Sequence, residues 1–466
     1  MNCLKNRKMK KYEIIYLLIC GIALFSCEKS FLDKKPDQAL LVPSTLADFQ
    51  MILDAPVFGD SPGINEISCG DFSISDAAFL RLTVLEQNAY LWKKNAFAGM
   101  PIVVEWYKAY QQVFSANVVL EGLKQMNDPS KESPDFNRLK ATAWFYRALA
   151  FYELAGSFAK PYDPETARND PGIPIRLISD VKVKSKRGTV QGTYDQILND
   201  LKQAAYLLPE TTLNKNRPTK CAAFALLSRV YLSMGNYNQA LVYANEALKM
   251  NNKLLDYNEL NKNAVGNVFP SPLPNGNHEV IFYRKLPLYS FPAVSPAAAL
   301  DLDLYQSYAD KDLRKLIFFR DRGNDVYTFR GNYSGTMTSS LFGGLATNEL
   351  YLNKAECLAR KNDVDGALES LNTLLKNRWE RESFLPLKAE DSEECLKLIL
   401  IERKKELVAR GLRWSDLRRL NKDSRFAVTL RREINGVTYQ LLPDDNRYVF
   451  PLPDNEITGP EMPQNP

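Results

Sequence analysis

Two apolar stripes that fold back on one another at a single glycine constrain this chain more than any other feature. Ala223, Leu226, Leu227, Val230, Tyr231 and Met234 recur at helical spacing and line one helix face. Gly235 can end that helix in the left-handed conformation that a side chain resists. Asn236 and Tyr237 turn the chain, and Ala240, Leu241, Ala244, Ala247 and Leu248 line the returning helix. Alanines at that spacing let two helix backbones approach closely, so the pattern predicts a tightly packed helical hairpin.

Similar patterns flank it. Tyr194, Ile197, Leu198, Leu201, Ala204, Ala205 and Leu208 form one stripe, with Thr193 and Gln196 read as its capping box and Pro209 as its stop. Segments 106–126 and 136–155 predict a further antiparallel pair. A weaker hairpin over 350–375 carries Ala355, Ala359, Ala367, Leu368, Leu371 and Leu374. Gly-x-Tyr-x-x-Ala is the turn of a tetratricopeptide-type hairpin. Ala240 and Ala367 nevertheless lie 127 positions apart, not the roughly 34 of a tandem array. The hairpins are therefore interrupted by a long insertion.

That insertion, 275–345, is broken by Pro and Gly. It holds twelve aromatic residues: Phe282, Tyr283, Tyr289, Phe291, Tyr305, Tyr308, Phe318, Phe319, Tyr327, Phe329, Tyr333 and Phe342. This is a denser supply than the 11% of the whole chain, and it predicts rings carried on loops and short strands. Loops held by a rigid scaffold are the usual seat of binding. About a third of these rings are expected at the surface, in the manner of such sequence-based expectations, with the others packing the segment onto the helices.

The N-terminus reads as a secretory leader, 1–26. Lys5, Arg7, Lys8, Lys10 and Lys11 precede an apolar run over 14–25, too short for a membrane span of roughly 20 residues. Leu24-Phe25-Ser26-Cys27 resembles the lipobox of bacterial lipoproteins, which makes Cys27 the expected lipid attachment site. The leader carries five basic residues and one acid, Glu13, so the formal +5 of the full sequence falls to about +1 without it. A near-neutral mature chain offers no clustered basic face for nucleic acid.

Catalytic and metal chemistry find little support. The single histidine, His278, lies in a turn-like stretch and reads as a solvated imidazole, which excludes a histidine metal cluster. Cys69, Cys221, Cys357 and Cys395 lack metal-ligand spacing and read as free thiols, mostly buried. Asp301 and Asp303 fall far short of a calcium loop. Glu402 and Glu406 share a helix face, and a glycosidase needs two nearby carboxylates. Arg403, Arg410 and Arg413 beside them favour an ion-pair network locking helices, because cationic neighbours hold a carboxyl ionised.

Motifs in order along the mature chain resemble the SusD/RagB family of outer-membrane nutrient-binding lipoproteins. They include Phe31-Leu32-Asp33, Trp106-Tyr107-Lys108-Ala109-Tyr110, Ala116-Asn117-Val118-Val119-Leu120 and Arg147-Ala148-Leu149-Ala150-Phe151-Tyr152-Glu153-Leu154. Gly172-Ile173-Pro174, Glu349 to Glu356, Glu402-Arg403-Lys404-Lys405-Glu406-Leu407 with Arg413-Trp414, and Phe450-Pro451-Leu452-Pro453 complete the series. Two positions depart from the family pattern. Arg410 replaces a usual Glu, and Gly343-Gly344-Leu345 stands where an Arg often precedes the Glu349 helix.

The resemblance implies a mostly α, SusD-like fold with tetratricopeptide-like hairpins and the aromatic-rich insertion. It implies a single domain over 27–466, comprising an N-terminal part (27–215), the hairpin (216–274), the insertion and a C-terminal part (346–466). It also implies a non-enzymatic protein, lipid-anchored at the outer membrane and facing the exterior; no cofactor and no metal ligand set is expected, and a structural calcium is left open. Such a protein captures a nutrient for a SusC-like TonB-dependent transporter, with oligosaccharide the favoured ligand. A peptide ligand and, less favoured, a glycoside hydrolase or a scaffold that binds only protein are the alternatives. Expected ligand contacts are Tyr289, Phe291, Tyr327 and Tyr333 from the insertion, and Asp71, Phe72 and Trp92 from the irregular stretch 60–100. Core packing (Phe72, Trp92) and a turn cap (Asp71) are the competing roles.

Overall fold

Short polar side chains set where the helices begin. In the computed structural model, which describes residues 43–126, 133–274, 276–287, 289, 298–335 and 340–466, α1 (Leu46–Leu53) starts at a Thr45–Asp48 capping box. The stretch 60–100 contains three short helices, α2 (Ile64–Ser68), α3 (Asp76–Phe79) and α4 (Val84–Tyr90), the last opened by a Thr83–Glu86 box.

The expected helix pairs are present. α5 (Val104–Gln125) packs on α6 (Pro134–Phe158), which packs on α7 (Val190–Leu207). α8 (Lys220–Ser233) and α9 (Tyr237–Met250) form the alanine hairpin. Gly235 takes φ +73° between them, and Asn236 caps the return by accepting from the Gln239 amide. Ala223, Ala240, Ala244 and Ala247 are wholly buried in the seam. A leucine-sized side chain there would overpack it, at a cost of roughly 1–3 kcal/mol.

One helix start differs from the sequence expectation. Thr193 does not cap α7, because the helix begins one turn earlier, with Thr189 accepting from the Gly192 amide at 3.0 Å. Thr193 lies inside the helix and instead receives the Ile173 amide at 3.3 Å. The preceding strand supplies that contact, which helix periodicity does not register.

Beyond the hairpin come α10 (Leu302–Gln306), α11 (Arg314–Phe318), α12 (Thr347–Ala359), α13 (Val364–Leu375), α14 (Ser392–Glu406) and α15 (Arg413–Leu420). Strands among the described residues pair only two by two, all antiparallel. β1 (Phe72–Ile74) pairs with β5 (Ala298–Leu300), β2 (Pro171–Pro174) with β3 (Arg187–Thr189), and β4 (Val280–Phe282) with β8 (Leu345–Ala346). β6 (Phe319–Asp321) pairs with β7 (Tyr327–Phe329), and β9 (Leu430–Ile434) with β10 (Val437–Leu441). The fold is therefore mostly helical. Residues 45–466 form one compact unit, whose main core reaches from Phe49 to Met462, with a smaller cluster beneath α12, α13 and α14.

Arginines distant in sequence, rather than those beside them, hold Glu402 and Glu406. Arg314 of α11 bonds Asp312 and both glutamates, and Arg378 reaches Glu406 at 2.9 Å and Glu279 beyond it. Asn348 adds a 2.8 Å bond to Glu406. Burial would raise the Glu406 carboxyl, but Arg378 and Arg314 pull it below the usual carboxylate range. Of the expected arginines, Arg403 pairs with Asp416, Arg413 faces Asp71, and Arg410 lies over the Phe342 and Tyr333 rings at 4.4 and 5.0 Å. The network reading stands, with different partners.

Candidate functional site

The stretch 60–100 and the insertion, far apart in sequence, meet on one side of the molecule. Strand β1 pairs with β5, placing Phe72 opposite Leu300 and Ile74 opposite Ala298. Ser61 donates its amide to the Lys285 carbonyl at 2.8 Å, and Lys285 returns one to Gly59 at 2.9 Å. Asp60 takes an ion pair from Lys108, with Lys285 Nζ 3.7 Å away. Tyr289 donates its hydroxyl to Glu105 at the start of α5.

Beside this seam lies a groove of about 790 Å³. Asp54, Phe58, Tyr146, Asn216, Arg217, Tyr283 and Lys285 are among the residues that line it. Phe58 stacks on Tyr146 at 4.2 Å, and Tyr146 donates to the Asn216 carbonyl at 2.8 Å, so these two rings are fixed. Within the lining, Arg217 grips Asp54 through two bonds of 2.9 and 2.7 Å. The groove thus offers the half-buried Tyr283 ring, amide and carbonyl groups and a lysine, a lining suited to a polar ligand.

A second feature projects from the insertion itself. Tyr305 on α10 and Tyr327 on β7 stack with ring centroids 3.4 Å apart and planes 10° from parallel, both half-buried. Phe319 braces Tyr305 edge-on, and Lys315, paired with Asp310, lies 5.4 Å from its centroid. Burial, the Tyr327 ring and Asp321 push the Tyr305 hydroxyl up to about 12, so it stays a neutral donor. Exposed Asp310 and Asp321 are acceptors close by.

The sequence-predicted contacts fare unevenly. Tyr327 belongs to the stacked pair and Tyr289 is half-buried, while Phe291 lies outside the described residues. Asp71, Phe72, Trp92 and Tyr333 are all buried. Asp71 receives the Asp301 amide on its carbonyl and faces Arg413 and Lys404. Burial outweighs those cations and raises its carboxyl above the ordinary range. Trp92 donates its indole N–H to Ser68 at 2.9 Å beneath the Arg432 guanidinium. The Tyr333 hydroxyl lies 2.7 Å from that of Tyr257. These four side chains are packed in the interior.

Of the twelve insertion rings, seven are buried and four half-buried, with Phe291 outside the described residues. The expectation that a third would be exposed is corrected, because most of the rings join the main core against the helices. Tyr305 escaped selection because its partner lies 22 positions away, a pairing that no local pattern encodes.

His278 is exposed, with Nε2 3.1 Å from the Leu254 carbonyl, and the four cysteines among the described residues are free and buried. Asp301 caps α10, and among the described residues no cluster of His, Cys, Asp and Glu could hold a metal ion. Cys27 lies outside the described residues, among which no helix is long and apolar enough to cross a membrane.

One family model, described as starch-binding and associating with the outer membrane, matches residues 30–232, and the SusD family model matches 347–466. The chain belongs to the SusD/RagB family. SusD-like protein P2 of Formosa agariphila is 24% identical over 98% of this chain and all of its own length. A SusD superfamily protein of Bacteroides thetaiotaomicron shares the fold with a TM-score of 0.72 and 23% identity, covering 91% of this chain and all of that one. A putative sugar binding protein of Bacteroides vulgatus also gives 0.72, at 22% identity over 91% and 99% of the two chains.

Proposed function

We propose that this protein captures oligosaccharide at the cell surface, held to the outer membrane by lipid on Cys27, and delivers it to a SusC-like TonB-dependent transporter. The observation that carries the glycan reading is the Tyr305–Tyr327 stack, a rigid aromatic face with acidic acceptors beside it. Sugar C–H faces pack on such rings while hydroxyls bond to carboxylates and amides. The 790 Å³ groove along the Asp60–Lys285 seam is a second place for the same chain of sugars. Membership of a family whose model is described as starch-binding supports glycan over peptide. No hydrolysis is proposed, because Glu402 and Glu406 are locked among Arg314, Arg378 and Lys405.

Calorimetric titration with starch-derived and other oligosaccharides, and with a peptide panel, tests the reading. Saturable glycan binding without new reducing ends is expected. Binding of peptides alone would overturn it. Labelled fatty acid should enter the chain and be absent from Cys27→Ser.

A further inference from the structure

The loop 176–186 concentrates charge in an otherwise near-neutral chain, with Arg176, Lys182, Lys184 and Lys186 against a single acid, Asp180. Interleaved with the lysines are aliphatic side chains turned to solvent. Leu177 and Ile178 are each 43% exposed, Val181 76% and Val183 45%. Exposure of this kind normally accompanies a floppy loop, yet this one is stapled shut. Arg176 donates to the Asp180 and Val183 carbonyls at 2.6 and 2.8 Å and to the Ser185 hydroxyl at 2.6 Å. Asn117 bonds the carbonyls of Arg176 and Ile178, and Glu121 takes the Ser179 amide.

Next to the loop, Leu177 and Ile178 border a groove of about 760 Å³ running between α5 and α6. Trp144 lies in it with Lys140 Nζ 4.9 Å from its ring centroid, and Lys124 stands at the rim. Aliphatic tips, a half-buried tryptophan and lysines with long apolar stems are the composition of the membrane–water interface. Protein interfaces, by contrast, are depleted in lysine.

We propose that this face rests on an anionic lipid surface, with Val181 and Val183 entering the headgroup layer and Lys182, Lys184 and Lys186 meeting phosphates. The contact shares no residue with the proposed glycan site. It orients the protein on the membrane rather than merely retaining it there.

The test uses the full chain carrying Cys27→Ser, so that no acyl chain contributes, sedimented with vesicles of phosphatidylcholine alone or mixed equally with phosphatidylglycerol. Binding to the anionic vesicles only, weakened by added salt, is expected. Each lysine replaced by Gln should cost about fivefold in partitioning, and the K182Q/K184Q/K186Q triple variant about a hundredfold. V181D should weaken binding while leaving the circular dichroism spectrum unchanged. Absence of binding to anionic vesicles, or equal binding by the triple variant, overturns the proposal. So does saturable binding to soluble polyglutamate with none to vesicles, which would assign the face to an acidic protein. None of these outcomes bears on oligosaccharide titration, so the two readings fail separately.

Discussion

Arg229 grips Glu349 through two parallel bonds of 2.7 and 2.6 Å, clamping α8 to the first turn of α12 across 120 positions of sequence. The same guanidinium donates to the Gly344 carbonyl at 2.8 Å. The family resemblance predicts an arginine just before this helix, where Gly343 and Gly344 stand instead. Here Arg229 supplies the charge from another element, and Gly344 leaves room, since a Cβ there would stand 2.0 Å from the Phe282 carbonyl. Burial would lift the Glu349 carboxyl, but Arg229 holds it below the ordinary range.

Removing one partner of this buried pair strands the other charge. Arg229→Met should destabilise the fold by about 3–5 kcal/mol in denaturant unfolding, and the double variant R229M/E349L should recover most of that loss. A double variant as unstable as the single one would show that the clamp acts through more than charge pairing.

Glu66 predicts a pH dependence. Burial first, and then the Asp71 charge, raise its carboxyl from 4.5 to about 8, while the Gly411 amide bonds it at 2.8 Å. The folded state therefore keeps a proton that the unfolded chain releases. The stabilisation is complete below about pH 4.5 and is lost as pH rises through about 8. Within that window the loss approaches about 1.4 kcal/mol per pH unit. Glu66→Gln mimics the protonated form, so its stability should match the parent near pH 5 and exceed it at pH 9. Parallel curves for the two proteins would refute the assignment.

Trp92 separates packing from ligand contact. It is 4% exposed, with φ 52°, and is fixed to Ser68 and Arg432. Trp92→Ala should cost roughly 3–5 kcal/mol of stability, with glycan affinity unchanged in the fraction that remains folded. Thermal melting and calorimetry together read both quantities.

The tyrosine stack should behave in the opposite way. Tyr327→Ala and Tyr305→Ala should each weaken oligosaccharide binding about two- to twelvefold, the range of one aromatic contact. Helix content should stay constant. Intact affinity in the double variant would move the platform to the groove lined by Tyr283 and Lys285.

Local pattern sufficed for the long paired helices. The short helices of 60–100 and of the insertion, and the side chains brought together at the candidate site, depended on contact across the chain. Ala223 through Leu248 announced a hairpin because helical periodicity and a glycine stop are properties of neighbouring residues. The free, buried thiols and the absence of metal-ligand spacing could likewise be read from residue type. Thr189 capping in place of Thr193, Arg314 and Arg378 around Glu406, and Tyr305 beneath Tyr327 depended on segments that approach only after folding. A ring in sequence is equally suited to a core and to a sugar. Which it meets depends on the area left uncovered when the insertion settles on the helices, a quantity that only the folded molecule possesses.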